Sequence, residues 1–207
     1  MPEPEKPRDR WWWNTGSGMR PGPGEDTETF AERVAKASWN AARRLPIVPD
    51  CDSTLIMTVG LPRSGKSTWA MAQGVPVVNP DAIRLACHGQ RFVEQAEPLV
   101  WYLAERMVDS LFLAGHRVVI LDATNITRSR RDCWISTEQN SYHRRRFLCL
   151  EMEPTTCIER CPGDAELHDV IRAMHEKFQP VDSEEGPAWR FDETYEHPLP
   201  TALEIAL

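Results

Sequence analysis

Short apolar runs alternate with polar, helix-like stretches along most of the chain. Four of these runs have the length of buried strands and are bounded by glycine, proline or acidic residues. They occupy residues 55–59, 75–78, 118–121 and 147–151, and residues 189–195 have the character of a last strand. Because strand and helix patterns alternate, the sequence predicts an α/β fold with a parallel sheet flanked by helices.

The longest helical pattern covers residues 98–114 and ends at Gly115. Its apolar residues recur at helical spacing, so we expect one face to pack on the sheet as core scaffold. The residues expected to point inward are Leu99, Leu103, Met107, Val108 and Leu111.

The first fifty residues have a different composition from the rest. Residues 1–10 mix proline with charge and predict disorder, whereas residues 25–44 have a helical pattern. Between them, the tryptophans of residues 11–13 have three possible uses: stacking on unpaired bases, docking on a partner, or folding back on the main domain. We favour folding back, because exposed tryptophans are energetically costly and because the basic neighbours that base stacking needs are mostly missing here. The sequence thus predicts an N-terminal appended segment at 1–50 and a main domain at 51–207.

Composition narrows the possible functions. The 207 residues include no apolar run near the ~20 residues of a membrane span, and the charged, proline-rich start is unlike a signal peptide. We therefore expect a cytoplasmic protein, and its six cysteines, which form no C-x-x-C pair, are expected to be reduced. With a net charge of −7, any contact with nucleic acid requires a local basic patch.

A phosphate-binding loop follows the first predicted strand. Residues 60–68 match the pattern G-x-x-x-x-G-K-[ST], in which glycines let backbone N–H groups surround a phosphate chain at a helix start. Lys66 is expected to contact the β and γ phosphates, and Ser67 has the hydroxyl for Mg²⁺. The predicted nucleotide-binding residues are Gly60, Leu61, Pro62, Arg63, Ser64, Gly65, Lys66, Ser67 and Thr68.

Asp81 and Arg84 lie three residues apart at the start of the helix that follows the second strand. There the carboxylate could accept a proton from an attacking hydroxyl, while the guanidinium holds a phosphate oxygen. A helix cap paired with a helix charge explains the same two residues equally well. Arg91 and Phe92 follow in a loop that could border the pocket for the phosphate acceptor.

The third strand ends in Asp122, which predicts a Walker-B aspartate beside Mg²⁺. Asn125 follows, and the next helix has a basic cluster of Arg128, Arg130 and Arg131, which could hold a nucleic-acid backbone or be the solvated start of a helix. A second basic cluster at 143–146 precedes its strand, so we expect it at the opposite edge of the sheet.

A helical hairpin is predicted after the fourth strand. One helix begins at Thr155 and contains Arg160, a break follows at 161–164, and the second helix covers 166–178. Such a hairpin would form a lid over the nucleotide, with Arg160 reaching the transferred phosphate.

The order GLPRSGKST, NPDAIR, VVILDATN and PTTCIER resembles the bacteriophage polynucleotide kinase domain and its wider family of small P-loop kinases over about residues 54–185. The resemblance implies ATP and Mg²⁺ as cofactors, Lys66 at the phosphates, and Ser67 and Asp122 at the metal. It also implies the following roles: Asp81 as general base, Arg84 on the acceptor phosphate, Asn125 organising the site and Arg160 as lid arginine.

The resemblance specifies phosphoryl transfer better than it specifies the acceptor. Phage kinases that phosphorylate 5-hydroxymethyluracil in DNA share this layout, so we expect DNA as the acceptor substrate and, for a phage protein, the host cytoplasm as its location. In that case Phe92 would stack on the base and Arg128 would hold a flanking phosphate. Three alternatives stay open: a polynucleotide 5′-hydroxyl kinase, a small-molecule kinase, and a nucleotide-dependent switch or docking module that binds ATP and transfers nothing. The family's second lid arginine is replaced here by Asp164 and Ala165, which leaves Arg172 as a distant substitute.

Overall fold

Five parallel strands form the centre of the fold in a computed structural model, which describes residues 53–134, 144–195 and 198–206. Their order across the sheet is β2-β3-β1-β4-β5, so the first strand lies in the middle. The strands are β1 (Thr54–Val59), β2 (Val77–Val78), β3 (Val118–Leu121), β4 (Arg144–Leu150) and β5 (Ala188–Phe191). The predicted α/β class with a parallel sheet is confirmed.

Helices connect the strands and flank the sheet. The helices are α1 (Lys66–Met71), α2 (Pro80–His88), α3 (Glu97–Leu113), α4 (Arg128–Asp132), α5 (Pro154–Glu159), α6 (Ala165–Glu176) and α7 (Ala202–Ala206), and a 3-10 turn covers Glu94–Ala96. The start of α2 follows directly from its sequence, because Asn79 caps the backbone N–H of Ala82 at 3.0 Å and Pro80 occupies the first turn. The hairpin of α5 and α6 corresponds to the predicted lid.

The register of the sheet brings the loops that carry chemistry to one edge. Thr54 pairs with Val118 of β3 on one side and with Arg144 of β4 on the other, and all three strands run in parallel. The loops after β1, β2, β3 and β4 therefore leave from the same carboxyl edge, where sheets of this kind bind ligands. The arginines at the start of β4 lie at the opposite edge, as expected.

The buried face of α3 is rotated by one residue from the predicted one. Val108 is buried as expected, but Leu99 is 48% exposed and Met107 is 44% exposed, while Leu103 and Leu111 are only partly buried. The residues that pack on the sheet are Val100, Ala104, Val108 and Phe112. Apolar residues occur on more than one side of this helix, and contact with the strands decides which side is covered.

The C-terminal residues pack behind the phosphate-binding loop. Trp69 of α1 donates its indole N–H to the carbonyl of Pro200 at 2.9 Å, and the backbone N–H of Ala202 donates to Gln73 at 2.8 Å. Ala202 and Ile205 of α7, a helix that the sequence did not predict, are buried in the same cluster as Trp69. These contacts fix α1 from its outer side.

The predicted appended segment at 1–50, including the tryptophans of residues 11–13, lies outside the described residues, so the predicted domain division stays a prediction. Within the described ranges, no helix is both long and apolar enough to span a membrane.

Candidate active site

Residues 60–68 form a tight loop between β1 and α1. Arg63 has a φ of +66° and Gly65 a φ of +105°, so a non-glycine residue takes a left-handed conformation inside the loop. Such a conformation costs of the order of 1–3 kcal/mol and is typical of ligand-binding loops. The loop borders a cavity of about 790 Å³, whose wall includes Arg63, Ser64, Gly65, Lys66, Ser67 and Thr68.

Lys66 is almost completely buried at the base of this loop. Its ammonium donates hydrogen bonds to the carbonyl of Leu61 at 2.5 Å and to Oγ of Ser64 at 3.2 Å. Burial lowers its pKa from 10.5 to about 8, and the charge of Asp122, with smaller contributions from Cys157 and Asp81, partly opposes this shift. Asp122 is thus the carboxylate with the larger effect on the ammonium.

Asp122 is buried directly after β3 and is held from two sides. Asn79 donates to Oδ2 at 2.8 Å, and the Thr58 hydroxyl lies 3.3 Å from Oδ1. Its carboxylate and the Ser67 hydroxyl are hard oxygen donors, as Mg²⁺ prefers, and Mg²⁺ on nucleotides commonly has only one or two protein ligands. Two oxygen donors of this kind fit a metal that arrives with phosphates. Among the described residues, no group of three His, Cys, Asp or Glu residues could hold a metal.

Asn125 ties the loop after β3 to the central strand. It is buried with a φ of +46°, and its Nδ2 donates to the carbonyl of Thr58 at 2.9 Å. Its buried Oδ1 has no hydrogen-bond partner among the described residues. Asn125 thus holds the backbone beside Asp122, and a direct contact with substrate stays a prediction.

Asp81 and Arg84 are joined by an ion pair in the first turn of α2. The Asp81 side chain is 81% exposed, whereas that of Arg84 is only 13% exposed. Arg84 makes two further hydrogen bonds to Glu97, at the start of α3: Nε to Oε1 at 2.6 Å and Nη2 to Oε2 at 2.7 Å. Glu97 was not predicted as a site residue, because a glutamate in a first helical turn has no distinctive sequence pattern.

The lid helices contact the loop through both apolar and polar groups. Leu61 packs with Cys157, Cys161 and Ile171 of the hairpin, and Arg160 donates to the carbonyl of Arg63 at 3.0 Å. Arg160 also borders the cavity, which places it beside the phosphate-binding loop. The more distant Arg172 pairs instead with Asp169 of its own helix at 2.8 Å.

An apolar wall of the cavity was not predicted. It is formed by Leu150 at the end of β4, Met152 just after it, Phe191 at the end of β5 and Tyr195 beyond it. The rings of Phe191 and Tyr195 lie 4.6 Å apart in an edge-on arrangement. An aromatic and apolar wall beside a phosphate-binding loop suits a flat ring system such as a nucleobase.

The arginines of α4 do not form the exposed basic patch that was considered for binding nucleic acid. Arg131 is completely buried and bonded to Glu185, and Arg130 stacks on the Trp101 ring at 4.1 Å. Arg128 is exposed but pairs with Asp182 at 2.5 Å and with Glu184 at 3.3 Å. Arg131 is therefore wrong as a backbone ligand, and the charge of Arg128 is largely balanced within the protein.

Phe92 lies in the loop after α2 with 62% of its surface exposed. Next to it, Arg91 lies 3.7 Å from Asp164, the residue that caps α6 of the lid. The loop that follows the Asp81 helix therefore contacts the lid through this ion pair. Its Phe92 side chain is accessible to an acceptor. Stacking by Phe92 stays a prediction.

A family model described as an AAA domain matches residues 55–180. No curated protein matches the chain. Among solved structures, a proposed kinase from Chloroflexus aurantiacus has a TM-score of 0.54 at 14% identity, with 70% of this chain and 90% of that chain covered. This similarity shows the fold alone.

Two further structures have TM-scores of 0.48. A Pnkp1/Rnl/Hen1 complex has 26% identity, with 56% of this chain aligned to 41% of that one, so the similar region spans less than half of that chain. The Mycobacterium tuberculosis APS kinase CysC, in complex with AMPPNP and APS, has 16% identity, with 71% of this chain and 92% of that chain covered.

Proposed function

We propose that this chain, which belongs to the AAA domain family, is a phosphotransferase that moves the γ phosphate of ATP to a hydroxyl group. One observation carries the proposal: Asn79 donates to Oδ2 of Asp122 at 2.8 Å and also caps α2, whose first turn contains the exposed Asp81. The predicted metal-binding acid and a second carboxylate therefore lie at the same sheet edge as the phosphate-binding loop. Phosphoryl transfer to a hydroxyl uses such a second carboxylate as the proton acceptor.

Each group has a separate task in this proposal. Lys66 binds the β and γ phosphates, whose negative charge stabilises its ammonium form and offsets the cost of its burial. Ser67 and Asp122 would hold Mg²⁺, which would neutralise charge on the phosphates. Arg160, anchored on the carbonyl of Arg63, reaches the transferred phosphate from the lid side.

Asp81 acts as the general base because its carboxylate is exposed at the site edge. The acceptor oxygen forms a new bond to the γ phosphorus while the bond from that phosphorus to the β,γ-bridging oxygen breaks. The electron pair of the broken bond leaves with ADP, and the hydroxyl proton passes to the Asp81 carboxylate.

For the acceptor, we propose the hydroxymethyl group of 5-hydroxymethyluracil in DNA, on the strength of the motif resemblance and the exposed Phe92. A small-molecule kinase is a second candidate, favoured by a specific observation: Arg128 and Arg131, two of the arginines considered for the DNA backbone, pair with carboxylates of the protein itself. A polynucleotide 5′-hydroxyl kinase stays the alternative acceptor on nucleic acid.

The proposal is tested by comparing Lys66→Ala with Asp81→Asn. Lys66→Ala should abolish nucleotide use, whereas Asp81→Asn should retain ATP binding and lose transfer by about 10² or more, the scale of general-base catalysis. Asp169→Asn is a matched control, because its carboxylate is exposed on α6 and pairs with Arg172 of the same helix. Full transfer activity in Asp81→Asn would remove Asp81 from the role of base.

A further inference from the structure

We infer that Glu97 is a positioning residue, which fixes Arg84 and, through Arg84, orients the carboxylate of Asp81. The inference rests on the proposed function and deepens it, because it assigns to Arg84 the task of orienting the proposed base. Glu97 belongs to a different helix from the other two residues, so the contact fixes α2 against the start of α3.

The geometry is that of a fork. The two oxygens of Glu97 accept parallel hydrogen bonds from Nε and Nη2 of Arg84 at 2.6 and 2.7 Å, which leaves Nη1 to face Asp81. Such a two-point contact sets the plane of the guanidinium as well as its position. Arg84 and Glu97 are 13% and 19% exposed, so solvent screens this pair less than it screens a surface ion pair.

Further contacts hold Glu97 itself. The Trp101 indole N–H donates to Oε2 at 3.1 Å, and the Arg130 guanidinium lies over the Trp101 ring at 4.1 Å. The hydrogen bond from Arg84 lowers the pKa of Glu97, with smaller contributions from Trp101 and Arg130. Glu97 is therefore charged throughout the neutral range, and the fork persists there.

Asp81 needs such support because its side chain is 81% exposed and solvent alone does not restrain it. A base works efficiently only when its oxygen lies close to the attacking hydroxyl, and a displacement of about 1 Å can cost as much as 100-fold in rate. Nε, Nη1 and Nη2 of Arg84 are each bonded to a carboxylate, so three of its five N–H donors hold the guanidinium between Glu97 and Asp81.

The test separates orientation from substrate binding. Glu97→Gln keeps the size of the side chain but replaces one oxygen of the fork by an amide, so Arg84 loses its fixed plane. We expect kcat to fall by about 10- to 100-fold, while the KM values of ATP and acceptor change by less than about twofold. Trp101→Phe, which removes the supporting N–H donor and makes the ring under Arg130 smaller, should give a smaller loss in the same direction. Glu105→Gln, on the exposed face of the same helix, should change nothing.

A double-mutant cycle distinguishes positioning from a purely structural role. If Glu97 acts through Asp81, Glu97→Gln should change the residual kcat of Asp81→Asn by less than about twofold. An undiminished loss in the Asp81→Asn background, or a raised acceptor KM at unchanged kcat, would overturn the inference while leaving the proposed function intact. Thermal unfolding of each variant excludes loss of fold as the cause. Wild-type protein that transfers no phosphate to any hydroxyl would instead contradict the proposed function and the inference together.

Discussion

A Cβ atom added to Gly60 would lie 2.4 Å from the backbone oxygen of Leu150. Gly60 opens the phosphate-binding loop after β1, and Leu150 ends the neighbouring strand β4. The oxygen belongs to the backbone and cannot move aside as a flexible side chain could. With a φ of +148°, Gly60 also has a conformation that other residues rarely adopt. The first glycine of the motif is therefore required by the packing of two strands.

Gly60→Ala should lower the free energy of unfolding by about 2–4 kcal/mol, because backbone overlap adds to the cost of a positive φ. Gly74→Ala is the matched control, since Gly74 has a φ of +68° and nothing within 4 Å of the added Cβ. There only the conformational cost of about 1 kcal/mol should appear. Chemical denaturation measures both, and equal losses would show that the contact with Leu150 is unimportant.

Burial of Lys66 predicts a specific dependence of stability on pH in the nucleotide-free, metal-free protein. Its folded pKa of about 8 lies below the ordinary value of 10.5, so the unfolded chain holds more protons between these two values. The cost of burying the charge is thus fully present below pH 8 and declines as the pH rises.

Lys66→Met removes this cost at every pH. The stability that Lys66→Met gains over wild type should shrink by about 1.4 kcal/mol between pH 7 and pH 9, as follows from the two pKa values. Denaturant titrations at several pH values, with a chelator present, give this difference directly. If the stability that Lys66→Met gains over wild type stayed constant or grew with pH, Lys66 would not be buried in its charged form.

The sequence predicted the strand order along the chain, the phosphate-binding loop and the lid because each depends on local patterns. The role of Arg131 was not predictable in this way. Its partner Glu185 lies 54 residues away, and the pair is buried only because α4 and the segment after α6 meet. The prediction of the buried face of α3 was wrong for a related reason. Helical spacing shows that an apolar face exists, but Val100 and Ala104 rather than Leu99 contact the sheet.

In the candidate site, too, the sequence predicted residues that follow local patterns and missed residues placed by tertiary packing. Asp81, Asp122 and Lys66 follow strand ends, and the shared edge of a parallel sheet brings such residues together. Glu97 and the apolar wall of Phe191 and Tyr195 come from elements whose place around the edge depends on tertiary packing. Motifs therefore predicted the groups proposed for the phosphates, and they missed Glu97 and the apolar wall, which are proposed to orient the base and to contact a nucleobase.

Arg160→Ala should lower kcat by at least about tenfold and raise the KM of ATP much less, because an arginine on the transferred phosphate acts mainly in the transition state. Arg160 already lies at the loop, with Nη1 3.0 Å from the carbonyl of Arg63. Arg172→Ala provides the comparison, since that side chain pairs with Asp169. Steady-state kinetics of both variants measure these effects. An unchanged kcat in Arg160→Ala would assign Arg160 a structural role. A large loss of kcat in Arg172→Ala would make Arg172 a second lid arginine.

The identity of the acceptor can be tested with covalently closed DNA, because a closed circle has no ends. A base hydroxyl inside a duplex is reachable only if the base leaves the stack, which costs a few kcal/mol and requires a surface for it. The exposed ring of Phe92 lies in the loop after the Asp81 helix, and the neighbouring Arg91 contacts Asp164 of the lid, so Phe92 offers a stacking surface between the two.

We therefore expect labelled γ phosphate on closed circles that contain 5-hydroxymethyluracil and none on circles with ordinary thymine. Phe92→Ala should weaken labelling of the circles, since stacking on an aromatic ring is worth about 1–3 kcal/mol per base. Leu85→Ala, which truncates another exposed apolar side chain of the same region, is the control. Label on free 5′ hydroxyl ends alone would establish the end kinase. Label on small alcohols alone would favour the small-molecule kinase, which the internal pairing of Arg128 and Arg131 already supports.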